Sequence, residues 1–262
     1  VSRIRNRFLR CIPGIGVAAM FALGVPVRAE LPVGNQFAVA IERDDIEKIK
    51  GLLEDGNLAD TPIEYGENSM TPLMKAAWDG RLEIARFLIE KGANVNFANR
   101  DGETSLHQAI GREQVELVKL LLEKGARTNT ADVRKFMPLH KAAAAGNVEI
   151  IKLLIQAKAD PNPEMYGLTP LMFAVSSRKP LAVLALLDLG VDVNRASKSG
   201  NVGQTALFSA IQGADADMVQ LLLARKANPN AKTKGGSTPL KEAQKGDQDD
   251  IIALLKAAGA KK

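Results

Sequence analysis

The sequence predicts an all-α solenoid of stacked helix-turn-helix units, on three observations. A Thr-Pro-Leu triplet or a near variant recurs six times, at intervals of 33, 33, 32, 36 and 33 residues. Each triplet opens a short Ala-rich stretch, and a polar break then leads into a Leu-rich one. Self-similarity at a fixed period of this length marks stacked supersecondary units, each too small to bury its own apolar face.

Composition narrows the function classes. Of 262 residues, 46% are apolar and 25% charged, so a folded core is expected and wholesale disorder is excluded. A single cysteine, Cys11, excludes a disulfide framework and a Cys-cluster zinc site. Trp78, Tyr65 and Tyr166 leave little material for base-stacking platforms. The formal charge of +5 sits in residues 1–29, which hold five arginines and no acid. Residues 30–262 carry 30 basic and 30 acidic side chains, so nucleic acid is not an expected partner.

Residues 1–29 read as a secretory signal peptide. Arg3, Arg5, Arg7 and Arg10 precede the apolar stretch Cys11 to Val27, and Val27-Arg28-Ala29 presents small residues at both cleavage-determining positions. Cleavage between Ala29 and Glu30 is expected, which makes the protein periplasmic or secreted, with no membrane partner afterwards. At 17 residues, broken by Pro13, Gly14, Gly16, Gly24 and Pro26, the stretch is marginal for a bilayer that needs about 20. An uncleaved anchor in the inner membrane is the alternative. Val1 fits an alternative start codon, hence a bacterial source, or a shortened sequence.

The repeat elements follow in order. The triplets are Thr71-Pro72-Leu73, Thr104-Ser105-Leu106, Met137-Pro138-Leu139, Thr169-Pro170-Leu171, Thr205-Ala206-Leu207 and Thr238-Pro239-Leu240. Thr caps the first helix through its hydroxyl, and Pro at the first helical position forfeits no hydrogen bond. Paired alanines such as Ala76-Ala77 and Ala142-Ala143 let two helices approach closely. The second helix carries the leucines, as in Lys119-Leu120-Leu121-Leu122, and most units close with Gly-Ala and an Asn, as in Gly92-Ala93-Asn94-Val95-Asn96 or Gly125-Ala126-Arg127-Thr128-Asn129. The closing Gly suits a left-handed helix end, which Lys158 and Lys226 would adopt at a cost.

At these residues the chain resembles the ankyrin repeat family, whose signature T-P-L-H-x-A is matched by Leu106-His107-Gln108-Ala109 and Pro138-Leu139-His140-Lys141-Ala142. The resemblance implies an ankyrin-repeat solenoid with short β-hairpin fingers. Residues 69–262 are assigned to six repeats and 30–68 to a degenerate capping repeat, in which Phe37, Ala40, Ile49, Leu52 and Gly56 occupy equivalent places. It also implies that His107 and His140 bond within the turn around the triplet's first residue. A metal shared by the two histidines is the alternative, although no third ligand is evident. Asp44-Asp45, Asp249-Asp250 and Asp215 with Asp217 fall at helix starts, where negative charge is stabilised. No nucleophile–base pair, phosphate loop or calcium loop is present, and neither an enzyme nor a cofactor is expected.

Function is then expected on a surface. In ankyrin proteins the groove is built from the hairpin tips and the exposed side of each first helix. Carried over by position, this gives Lys75, Trp78 and Asp79; Gln108 and Arg112; Lys141; Phe173, Ser176 and Ser177; Ser209 and Gln212. The finger segments 97–103, 130–136, 163–168, 195–204 and 231–237 hold seven basic and four acidic residues, which favours an acidic partner over a neutral rim. Trp78 is the expected anchor, with packing against the first hairpin as the alternative. Repeat four, 169–204, stands apart. Its finger is lengthened and carries Arg195 and Lys198, and Phe173 replaces a polar residue. Leu181 aligns with Glu83, Glu116 and Glu149, and Leu184 with Arg86, Lys119 and Lys152, positions expected to face solvent on the back. Two readings follow: a contact for a partner or for self-association, or plain degeneracy. The sequence therefore describes an exported module that binds another protein, or alternatively an inhibitor of an envelope enzyme or toxin.

Overall fold

The computed structural model describes residues 31–65, 68–200 and 202–261; the leader assigned to 1–29, with Ala29 and Glu30, lies outside them. Among the described residues are fourteen helices and one two-stranded antiparallel hairpin, in two compact units that divide between Gln108 and Ala109.

The first unit runs α1 (Val33–Glu42), α2 (Ile46–Glu54), β1 (Ile63–Tyr65), β2 (Asn68–Met70), α3 (Pro72–Asp79) and α4 (Leu82–Glu90). In the hairpin Ile63 pairs with Met70 and Tyr65 with Asn68. The division falls within α5 (Ser105–Gly111). The second unit continues through α6 (Val115–Glu123), α7 (Pro138–Ala145), α8 (Val148–Gln156), α9 (Pro170–Ser176) and α10 (Pro180–Asp188). It ends with α11 (Ala206–Gln212), α12 (Ala216–Ala224), α13 (Pro239–Lys245) and α14 (Asp249–Ala257).

Three positions of the repeat build the core. The leucine that ends each triplet (Leu73, Leu106, Leu139, Leu171, Leu207, Leu240) is buried in every repeat, and so is the alanine three residues later, from Ala76 to Ala243. The outer helices contribute Leu88, Leu121, Leu154, Leu186, Leu222 and Leu255, all with no exposed surface. Phe37, Ala40 and Leu52 take the same places in the α1–α2 pair and are equally buried. Each such leucine contributes about 2 kcal/mol by leaving water. The alanines contribute space, since a larger side chain would push two helix axes apart.

The triplet's first residue caps as expected in three repeats. Thr71, Thr169 and Thr238 accept the backbone N–H of Met74, Met172 and Lys241 through Oγ1. Thr205 makes no such bond. At Met137 the backbone N–H is instead taken by His140 Nδ1, at 3.2 Å.

Each repeat also turns left-handed twice. The outer helices end on Gly92, Gly125, Lys158, Gly190, Lys226 and Gly259, all with positive φ. The inner helices do the same at Gly80, Glu113, Gly146, Arg178, Ala214 and Asp247, a second site that the residue types do not advertise. Asn and Asp side chains then tie one repeat to the next. Asp60 accepts the N–H of Asn94, Asn129 that of Asp160, Asn194 that of Asn228, and Asn230 that of Lys261, at 2.7–3.1 Å. This is the physical reason for the Asp or Asn that follows Gly56, Gly125, Gly190 and Lys226 by four residues.

Lys158 and Lys226, with φ of 62° and 66°, hold the left-handed geometry that their neighbours meet with Gly. Replacing each with Gly is expected to stabilise the protein by several tenths to about 1 kcal/mol, because the Cβ penalty exceeds the added unfolded-state freedom. A higher urea midpoint for both variants is the expected reading. Unchanged midpoints would mean that the lysine stems repay the strain by packing.

Candidate interaction surface

The inner helices hold much of the expected groove for themselves. Lys75 is buried, with its ammonium 3.1 Å from Glu42 Oε1 and bonded to Asp79. Asp79, expected as a partner contact, is therefore half-buried and neutralised from within. Gln108 is buried and donates to Glu103 Oε2 at 2.8 Å. Phe173 is half-buried rather than presented: its ring packs edge-on against Phe136 and His140, with centroids 5.0 and 5.4 Å apart. An apolar ring at this position finds aromatic neighbours that the Lys or Gln of other repeats would not seek.

Both histidines serve the turns. His107 Nδ1 accepts the N–H of Thr104 at 3.1 Å and lies 2.9 Å from its hydroxyl. In His140 the Met137 N–H occupies Nδ1, so Nε2 carries the proton and faces the carbonyls of Pro163 and Leu168 at 3.2 and 3.3 Å. Burial holds the pKa of His140 below its ordinary value, against the opposing pull of those carbonyls. With Nδ1 engaged in each ring and Nε2 of His140 protonated, the shared-metal alternative loses three of its four ring nitrogens as donors.

The other expected residues divide by exposure. Trp78 is 41% exposed near the end of α3, Arg112 is exposed, and Lys141 and Ser177 are half-buried. Arg195 is half-buried, with its guanidinium 4.0 Å from the Glu164 carboxylate. Lys198 is exposed, and its backbone N–H donates to Glu164. On α10, Leu181 stands 69% exposed, while Leu184 one turn later is half-buried, against the expectation that both face solvent. A leucine can lie down on the helix surface where Arg86, Lys119 and Lys152 extend their charges into water.

The fingers of the second unit show a charge pattern that counting residues understates. Asp132 is 3% exposed and accepts the N–H groups of Arg134 and Phe136, so its carboxylate shapes its own turn. Glu164 is likewise turned inward, onto Lys198 and Arg195. Lys135, Lys198, Lys232 and Lys234 are exposed. Between the fourth and fifth fingers and the helices α11 and α13 lies a cavity of about 540 Å3, lined by Val202, Gln204, Phe208, Gln212, Lys234 and Glu242 among others. Val202, Gln204 and Lys234 fall in the finger segments assigned to the groove from the sequence, whereas Glu242, on α13, carries no sequence signal as a site residue. Gln212 was reached by alignment of the inner helices.

Stacked helix pairs with projecting turns, and polar side chains spent mainly on capping and on ties between repeats, define a repeat scaffold. The chain belongs to the ankyrin repeat family: family profiles described as ankyrin repeats match residues 37–132, 128–197 and 186–243. The crystal structure of an ankyrin repeat domain from Acinetobacter baumannii is 31% identical, with a TM-score of 0.66 over 72% of this chain and 98% of that one. The human ASB11 ankyrin repeat domain is 30% identical, with a TM-score of 0.64 over 73% and 85%. Among curated proteins, mouse Rabankyrin-5 is 27% identical over 76% of this chain, and protein PhlB of Serratia liquefaciens 38% identical over 36%. The match spans 14% of Rabankyrin-5, 40% of PhlB and 8% of chicken inversin, which is 38% identical over 92 residues.

Proposed function

We propose that this chain, built of ankyrin repeats that serve as protein–protein interaction modules, acts as an exported scaffold that binds a protein of acidic surface through the inner helices and fingers of its second unit. The observation that carries this reading is the cavity of about 540 Å3 beside the fourth and fifth fingers, where the exposed charges on the finger turns are lysines. A concave site with a buried aromatic and a few polar groups suits an inserted side chain. Export rests on the arginine-rich start and the small residues before Glu30. Blocking an envelope enzyme or toxin would use the same contacts, as would self-association through Leu181.

The test is cross-linking capture by the full-length tagged chain from the envelope fraction of its source cells, with the mature N-terminus read by mass spectrometry. One protein captured by the wild type, and reduced at least about 10-fold by Gln204→Arg with Gln212→Arg in a normally folded chain, is the expected result. Equal capture by that variant removes the cavity from the proposal. A soluble cytosolic form that retains residues 1–29 refutes export.

A further inference from the structure

The third finger closes on two residues, Tyr166 and Gly167, between the paired main chains of Met165 and Leu168, whose N–H and C=O groups exchange two bonds of 2.9 Å. Both central residues have positive φ, 51° and 86°, as a type I′ turn requires. The first of those places ordinarily belongs to Asn, Asp or Gly, because a bulky side chain there is strained. Here it is a tyrosine, and 69% of it is exposed. Fold stability does not account for a large aromatic placed at a strained position and left in water. Strain of this kind concentrates where a side chain must be displayed.

The fourth finger holds that display in place. A Cβ on Gly167 would lie 2.0 Å from the carbonyl oxygen of Ser199, and one on Gly200 would lie 2.7 Å from that of Tyr166, so the two fingers meet backbone to backbone. The fifth finger continues the row, with the Lys234 N–H bonded to Val202 O at 2.9 Å. Beyond Tyr166 the fourth finger exposes Lys198 and Val202 and the fifth exposes Lys232 and Lys234, while the one acid of these three fingers, Glu164, is turned inward. The row is packed main chain to main chain, aromatic at one end, and cationic along its length.

Building on the function proposed above, we infer that Tyr166 is the aromatic anchor of the partner site, and that the ridge from Tyr166 to Lys234 receives an extended acidic segment bearing an apolar side chain. Charge complementarity selects the acidic segment. The cavity behind the fourth and fifth fingers selects a peptide over an anionic bilayer, because a flat surface would touch the tips and leave the cavity unfilled. With its main chain fixed by the turn, Tyr166 has only its two side-chain torsions to lose on binding.

The variant that isolates this role is Tyr166→Asn, which suits the turn better than the native residue. The probe is a displayed library of random twelve-residue peptides, selected on the full-length protein. The expected result is a set of net-acidic peptides with at least one apolar residue. Tyr166→Asn should weaken them at least about 10-fold while the melting temperature stays level or rises, and Lys198→Glu with Lys234→Glu should abolish them. Neutral or basic peptides, no peptides, or acidic peptides indifferent to Tyr166→Asn overturn the inference. So does Tyr166-dependent sedimentation with phosphatidylglycerol vesicles in place of peptide binding. Peptides whose binding maps to Trp78 overturn it while leaving the protein-binding reading intact; that reading fails only if the captured partner is also missing.

Discussion

Replacing Gly167 with Ala is expected to lower stability by about 3 kcal/mol, a large loss for one methyl group. Two costs add. With φ at 86°, any L-residue is strained by about 1 kcal/mol. The new Cβ would also sit 2.0 Å from the Ser199 carbonyl oxygen and 2.8 Å from its carbon, both backbone atoms that cannot step aside as a side chain would. Gly236 is the control. It occupies the equivalent turn of the fifth finger with φ of 73° and has nothing within 4 Å of the built Cβ, so Gly236→Ala should cost only about 1 kcal/mol. Urea denaturation of the two variants separates backbone strain from close approach. Equal losses would show that the third and fourth fingers part without penalty, and the packed ridge would lose its basis.

The contrast between these glycines shows what a sequence of this kind can disclose. The repeat period, the buried leucines and alanines, the capping of Thr71, Thr169 and Thr238, and the left-handed Lys158 and Lys226 are all local or periodic. Each follows from residue type at a fixed offset. Gly200-Asn201-Val202-Gly203 reads in sequence only as the Gly-rich tip of the lengthened fourth finger. Its close approach to Tyr166 and Lys232 depends on how neighbouring fingers stack, which no spacing encodes. The same limit governs the candidate site. Alignment carried Lys75, Asp79 and Phe173 to the right face, but their side chains are engaged by Glu42, by one another, and by Phe136 with His140. Tyr166 lies within the finger segment 163–168 assigned to the groove, but a reading of the fingers by their charges gives a tyrosine no weight. The Tyr-Gly pair between two hydrogen-bonded residues was its only local signal.

Lys75→Ala is expected to destabilise the first unit by about 2–3 kcal/mol, by leaving carboxylates rather than by losing packing. The lysine side chain is 7% exposed and joins Glu42, at the end of α1, to Asp79 on its own helix. It thus ties the degenerate capping pair to the first full repeat. Without the ammonium, the Asp79 carboxylate would be left at 16% exposure without this ion-pair partner. Glu42 is half in water and would lose little, which holds the estimate below that for a fully buried pair. A double-mutant cycle with Asp79→Ala is the check: the double variant should be less destabilised than the two single losses summed, by about 1 kcal/mol or more. Additive losses would mean that the ammonium and the carboxylate act independently. The cycle also decides the role of the residue, because a Lys75 held in reserve for a partner would weaken binding when replaced and leave the urea midpoint unmoved. The geometry of the triad predicts the reverse: a lower midpoint, earlier release of α1, and unchanged binding at the fingers of the second unit.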